Sequence, residues 1–435
     1  MKRWAIAVIV AALIGVGGLA GCVATRLPNV ALTPSGPPAE PPILGRYGDD
    51  LAVASAQDWT ERRSAILRDA FQASVYGRFP DPAPVTVGAK TVVAEAYRDG
   101  KARLEQWDVA LGGQADGMGF SMLIVAPRGS TRPTPMIVMQ NFCGNAAVFP
   151  DVAGIAPPRG GAPGECGNAL MRPVVKAIFG DAIMTPPLDQ ILASGWGLAM
   201  VYAGEVVPDD KAMADAALAK LTPQGAPPAE RAGAIAAWAW TYVRTLEALQ
   251  TDDRFDASRI VLWGHSRNGK AALLAAAMDP RPAAVIALQA GTAGGSLGRD
   301  TVGESIAQLT KTYPHWLSPA YAAYAPRQDA LPVDQHQLIG LIAPRPVLLQ
   351  GARRDQWSDP IGAYRALEGA APAYALFGAP PFAQPDIRTP SAAHPLAMSM
   401  RPGLHGVHTI DWAVALDFLR SRLPGPAAPA AVATP

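Results

Sequence analysis

The chain has 435 residues, of which 49% are hydrophobic and 17% charged, and its net charge is +1. That is enough apolar material for a sizeable core. The near-neutral balance, with no basic run, argues against nucleic acid or a strongly anionic polymer as partner, although a polymer with sparse acidic sugars remains compatible. Six histidines and three cysteines show no zinc-type spacing, so no metal site is expected.

The first residues read as an address. Lys2 and Arg3 precede an apolar stretch from Trp4 to Gly18 that is short for a membrane span. Leu19-Ala20-Gly21-Cys22 then resembles a bacterial lipobox. Residues 1–22 are therefore expected to be a lipoprotein signal peptide, with Cys22 lipidated; a plain secretory signal or an uncleaved anchor is the alternative. Either way the chain is expected to be exported. With the lipid, it would be held in the bacterial cell envelope, at the outer membrane or the periplasmic face, touching a membrane through that anchor alone. Residues 23–45 are Pro-rich and form an expected tether. In an oxidising compartment Cys143 and Cys166 are candidates for a disulfide, with two free thiols as the alternative.

Strand and helix signals then alternate without a long linker, which predicts one α/β domain over residues 46–422 rather than two or three. An amphipathic segment from Trp59 to Tyr76 ends at the break Gly77-Arg78-Phe79-Pro80. Val85 to Val93, Ala102 to Ala110, Gly119 to Val125 and Pro135 to Met139 read as entry strands. The loop Asn141-Phe142-Cys143-Gly144-Asn145 follows, and a Pro- and Gly-rich insertion over about 150–187 is long enough to border a substrate cleft. Beyond it, strands are predicted at Gly197 to Tyr202, Ile260 to Trp263, Ala283 to Leu288 and Pro346 to Gln350. Helices are predicted at Ala232 to Leu249, after Trp263, and at Ile410 to Leu419. The Ala/Pro tail, 423–435, is expected to be disordered. The fold class is α/β: a three-layer sandwich with a mostly parallel central sheet and helices on both faces.

The chemistry starts at Gly264-His265-Ser266-Arg267-Asn268-Gly269-Lys270, between the apolar strand Arg259-Ile260-Val261-Leu262-Trp263 and a helix that begins Ala271-Ala272-Leu273. A strand turning sharply into a helix around a serine is a nucleophile elbow, which makes Ser266 the candidate nucleophile. Asn268 stands where the second glycine of Gly-x-Ser-x-Gly belongs, and Gly269 comes one residue late. Such an elbow makes the sandwich one of the α/β-hydrolase type, in which chain order places the acid after a late strand and the histidine before the last helix. Asp355 follows the strand ending at Gln350; Asp359 competes but fits better as the cap of a helix starting at Pro360. His405 lies in the loop before the last helix, while His408 adjoins the expected cap, Thr409. His394 reads as a surface histidine, and His315 and His336 as structural.

Several stretches, Gly264 to Lys270, Gly291-Thr292-Ala293-Gly294-Gly295, Gly303-Glu304, Asp355-Gln356-Trp357, Arg401 to His405 and Asp411-Trp412, together resemble the glucuronoyl esterases of carbohydrate esterase family fifteen, bacterial type, over roughly residues 46–422. The resemblance implies hydrolysis of the ester between 4-O-methyl-glucuronic acid on glucuronoxylan and a lignin-type alcohol, without a cofactor and as a monomer. It implies that Ser266 is the nucleophile, His405 the base and Arg267 an oxyanion-holding side chain. Lys270 and Glu304 would contact sugar hydroxyls, and Trp357 would pack on the sugar. One position departs. Family members often carry a glutamate just after the strand that follows the elbow helix, and Gln289 occupies that place; an amide cannot be the anionic partner of an imidazolium, so the acid role falls to Asp355. Cleavage of acetyl-sugar esters or peptides on the same fold is one alternative. A lipid-anchored carbohydrate-binding protein with a decayed site is another.

Overall fold

A computed structural model describes residues 29, 36–38, 41–48, 51–112, 117–161, 172–391 and 393–423. Nine strands form one sheet in the order β1-β2-β3-β5-β4-β6-β7-β8-β9. They are β1 (Val85–Tyr97), β2 (Ala102–Leu111), β3 (Gly119–Pro127), β4 (Thr134–Gln140), β5 (Gly197–Val201), β6 (Phe255–His265), β7 (Ala284–Leu288), β8 (Val347–Ala352) and β9 (Leu396–Arg401). The first three pair antiparallel, and β3 meets β5 antiparallel. From β5 to β9 every pairing is parallel.

The principal helices are α1 (56–76), α2 (Arg172–Phe179), α3 (Leu188–Ala193), α4 (Ala234–Leu249), α5 (Arg267–Met278), α6 (Gln335–Gly340), α7 (Pro360–Ala375) and α8 (Thr409–Arg422). Strand side chains alternate between the faces. Ile260 and Leu262 of β6 join the core under α1, α4, α5, α6 and α7, whereas Val261 and Trp263 join the opposite core with α3 and α8. Both faces of the parallel region are thus covered, which is why its strands read as continuous apolar runs. Trp263 and Trp412 stack at 4.5 Å and tie α8 to the strand that enters the elbow.

Three features differ from the sequence reading. Strand β9 is absent from it, because Leu396-Ala397-Met398-Ser399-Met400 contains no β-branched residue. His394 is buried rather than on the surface; its Nδ1 accepts from Leu396 N at 2.9 Å, and burial lowers its pKa to about 4. The cap of α8 is His408, one residue before Thr409; the Asp411 carboxylate accepts from His408 N at 2.8 Å, and Thr409 bonds Asp181 instead. Asp359 does cap α7 as expected, accepting from Gly362 N at 2.9 Å. Residues 1–22 with Cys22, where a leader is expected, most of residues 23–45, where a tether is expected, and the residues beyond Leu423 lie outside the described residues. Among the described residues no helix is long and apolar enough to cross a membrane.

Candidate active site

Strand β6 runs straight into α5 with Ser266 as the single residue between them, at φ 56° and ψ −125°. For a non-glycine residue this backbone costs ~1–3 kcal/mol and persists only where the surroundings impose it. A Cβ at Gly264 would collide with the Asn268 carbonyl, so the first glycine of the elbow is sterically required. The second is displaced for a visible reason. Asn268 is buried and its Nδ2 donates to Gln140 O at 3.0 Å, fastening the elbow to the end of β4. Tyr242 of α4 donates to Trp263 O at 2.7 Å from behind. Gly269 then makes the close approach, since a Cβ there would lie 3.3 Å from the Ala290 Cβ.

The histidine and the acid arrive from β9 and β8 at the same edge of the sheet. Asp355 is buried and places Oδ2 2.8 Å from His405 Nδ1. Ser358, one turn on, hydrogen-bonds the same carboxylate oxygen and lies 3.2 Å from the same ring nitrogen. The loop carrying His405 is held by Arg401, whose Nη2 donates to Leu404 O at 3.1 Å and Gly406 O at 2.7 Å while its Nε pairs with Asp411 at 2.9 Å. His408 faces outward to Asp181 at 3.3 Å. His265, immediately before the serine, packs on His405 with ring centroids 4.7 Å apart. Burial first, and then the His405 charge, push the His265 pKa well below its usual value.

Arg267, the first residue of α5, is pinned from three sides. Its Nη1 lies 2.6 Å from Asp209 Oδ2, and its guanidinium sits 4.7 Å from the Phe142 ring and 5.6 Å from Trp238. Asp209 also accepts from Trp316 Nε1 at 2.7 Å and meets His315 Nε2 at 2.9 Å. Burial works to raise the Asp209 pKa, but the His315 bond and the Arg267 charge bring it below the ordinary carboxylate value. Asp209 carries no motif in the sequence, and only its contacts reveal it.

Ser266, Arg267 and His405 open on one cavity of about 500 Å³. Its walls are apolar: Phe142 and Val148 on the loop side, Val175 and Phe179 of α2, and Ile183 and Met184 beyond it. The insertion therefore borders the cleft. Within the 141–145 loop, Asn141 Oδ1 accepts from Gly144 N at 2.7 Å and sets the turn. Cys143 on this loop is disulfide-bonded; Cys166 lies outside the described residues.

Lys270, Glu304 and Trp357 do not line that cavity; they gather on the Asp355 side. Lys270 is buried with Nζ donating to Ala290 O at 2.6 Å and Thr292 O at 2.5 Å. Burial lowers its pKa to about 8 against the opposing charges of Glu304 and Asp355. Burial raises the Glu304 pKa, opposed by Lys270 and His405, and Glu304 Oε1 is buried without a hydrogen-bond partner. Glu304 N donates to Trp357 O at 3.0 Å, and Trp357 is 50% exposed, so it is no core residue. Gln289 ends up behind His405, just past β7. Among the described residues no group of three or more His, Cys, Asp or Glu side chains is placed to hold a metal ion.

A mostly parallel sheet, a strained serine between strand and helix, and a histidine and carboxylate converging at the strand ends define an α/β-hydrolase. Residues 227–378 match the family described as "Glucuronyl esterase, fungi". The chain is similar to "Carbohydrate esterase MZ0003" of an unknown prokaryotic organism, 29% identical over 391 residues, covering 87% of this chain and 88% of that one. It is 32% identical over 160 residues to "4-O-methyl-glucuronoyl methylesterase 1" of Wolfiporia cocos, covering 35% of this chain and 39% of that one. Among solved structures, a promiscuous CE15 esterase from a marine bacterial metagenome superposes with a TM-score of 0.77 at 28% identity, covering 92% of this chain and 98% of that one. The glucuronoyl esterase from Solibacter usitatus does so with a TM-score of 0.77 at 29% identity, covering 89% and 99%. The chain resembles the glucuronoyl esterases of carbohydrate esterase family fifteen in sequence and fold, and is a carboxylic ester hydrolase.

Proposed function

We propose that the enzyme cleaves the ester between 4-O-methyl-glucuronic acid on glucuronoxylan and a lignin-type alcohol through an acyl-enzyme, with Ser266, His405 and Asp355 as the catalytic residues. The observation that carries this reading is the 2.8 Å contact between His405 Nδ1 and Asp355 at a cavity shared with Ser266. With Nδ1–H given to Asp355, the other ring nitrogen is free to take the serine proton. Ser266 Oγ attacks the uronoyl carbonyl carbon, and His405 Nε2 receives its proton. The oxyanion meets the amide of Arg267, at the first turn of α5 where helix N–H groups lack intrahelical partners, together with the guanidinium. Collapse expels the alcohol, which takes the proton from His405. Water then repeats the sequence on the acyl-serine and releases the glucuronic acid.

The names of the relatives support the acyl half: glucuronoyl esterase for the Solibacter protein and glucuronoyl methylesterase for the Wolfiporia one. Lys270, with two of its three donors used, and Glu304, with a bare buried oxygen, support a polar subsite for sugar hydroxyls that Trp357 covers. The cavity walls suit an apolar alcohol. Export with a lipid on Cys22, monomeric action, and pairing of Cys143 with Cys166 complete the proposal. Mass spectrometry of the mature N-terminus and of the nonreduced peptides checks the lipid and the disulfide.

The deciding assay is turnover of methyl 4-O-methyl-glucuronate by the mature protein beside Ser266→Ala. Hydrolysis that vanishes in the variant and survives a chelator is expected. No hydrolysis by the wild type, with turnover of acetylated xylan instead, overturns the substrate.

A further inference from the structure

Gln289 follows β7 with φ +49°, a left-handed conformation that a glutamine seldom adopts. Its side chain is buried and makes three hydrogen bonds. Oε1 accepts from Gly406 N at 2.8 Å and lies 3.0 Å from His265 Nε2, while Nε2 donates to Leu404 O at 3.2 Å. A backbone N–H can only donate, so the atom facing Gly406 is the carbonyl oxygen and the orientation of the amide is fixed. His265 must then carry its proton on Nε2, which leaves its buried Nδ1 without a partner. The residues gripped, Leu404 and Gly406, are those on either side of His405.

We propose that Gln289 is a positioning residue for His405: its amide splints the backbone on both sides of the histidine and fixes the His265 ring against which His405 packs. This rests on the role given to His405 under the proposed function. A glutamate has no donor. In this loop its second oxygen would face the Leu404 carbonyl, acceptor against acceptor, at the 3.2 Å now spanned by a hydrogen bond. Arg401 also holds Leu404 O and Gly406 O, but it offers no acceptor to Gly406 N. The amide is therefore the fitted group here, with Asp355 as the acid, and the site is rearranged rather than decayed.

The test compares Gln289→Met, of similar length without hydrogen-bonding groups, and Gln289→Glu, which keeps both acceptor contacts and loses the donor. Turnover is expressed per serine titrated with a fluorophosphonate, so that misfolded protein does not count. A roughly 10- to 100-fold lower kcat in Gln289→Met with KM within about twofold is expected from misplacement of a catalytic group, and a smaller loss in Gln289→Glu. A kcat per titrated serine within about twofold of wild type in Gln289→Met, a loss confined to KM, or a gain in Gln289→Glu overturns the inference. The rate of fluorophosphonate labelling of Ser266 reports His405 alignment without any sugar ester. If the wild type labels but cleaves no glucuronate ester, the substrate reading fails while the inference is decided by whether labelling slows in Gln289→Met.

Discussion

Arg267 Nη1 and Asp209 Oδ2 are 2.6 Å apart, and Asp209 is in turn held by Trp316 and His315. A flexible guanidinium beside a nucleophile is thereby converted into a fixed donor, which is the form in which a charge stabilises a transition state best. Asp209→Asn keeps the shape and removes the charge. Its kcat on a glucuronate methyl ester is expected to fall by about 10- to 100-fold, short of the ~10²–10³ typical of deleting an oxyanion donor, with KM little changed. Steady-state kinetics at saturating substrate check this, and an unchanged kcat removes Asp209 from the account.

Asp355→Asn is expected to lower kcat by about 10³–10⁴, because the amide presents the wrong hydrogen-bonding partner to His405 Nδ1 and favours the wrong tautomer. Ser358→Ala removes a hydroxyl that touches both members of the pair, and a loss of about 10- to 100-fold is expected from one hydrogen bond to a carboxylate. Single-turnover acylation rates measured side by side give the ranking. Asp355→Asn at wild-type rate excludes this residue as the acid.

Lys270 yields a pH signature. Its pKa is lowered to about 8 in the fold by burial, against ~10.4 when unfolded. Between these values the unfolded chain binds the extra proton, so this group adds stability as pH rises from 8 to 10.5. Lys270→Met lacks that contribution. Its stability relative to wild type should therefore decline across that window, by up to about 3 kcal/mol, when urea midpoints at pH 7 and pH 10 are compared. In the same window wild-type KM for the uronate ester should rise as the ammonium is lost, and the variant's KM should stay flat.

Gly406→Ala tests how the histidine loop is seated. A Cβ there would collide with the Phe179 carbonyl at the end of α2. Since that carbonyl accepts from Val407 N at 2.7 Å, the two segments cannot separate without losing the bond. A drop in kcat of about tenfold or more is expected with much of the thermal stability retained; a variant with native kcat shows that the loop tolerates the displacement.

The sequence makes the chemistry easier to read than its support. The elbow, the apolar strands of the parallel region, Asp355 and the His405 loop are all legible, because strand burial on both faces and the turn chemistry leave direct marks on residue type. Strand β9 leaves none, since alanine, methionine and leucine serve helices equally well. Asp209 is silent for another reason: its partners come from α5 and from the segment holding His315 and Trp316, and no local pattern records a contact made across the fold. Gln289 reads in sequence as a missing charge. Only the positions of Leu404 O and Gly406 N show that a donor and an acceptor are both used there.

The segment from Phe179 to Asp181 has two duties. Phe179 walls the cavity, while its carbonyl holds Val407 N, Val407 O accepts from Ala182 N at 3.0 Å, and Asp181 takes Thr409. Under the proposed function, selectivity for the alcohol and support of His405 as proton acceptor would thus depend on the same few residues. Grafting an insertion from a relative to change the substrate range would carry the scaffold of His405 along with it. Such chimeras should succeed when the graft ends before Phe179 and lose turnover when it runs through Ala182.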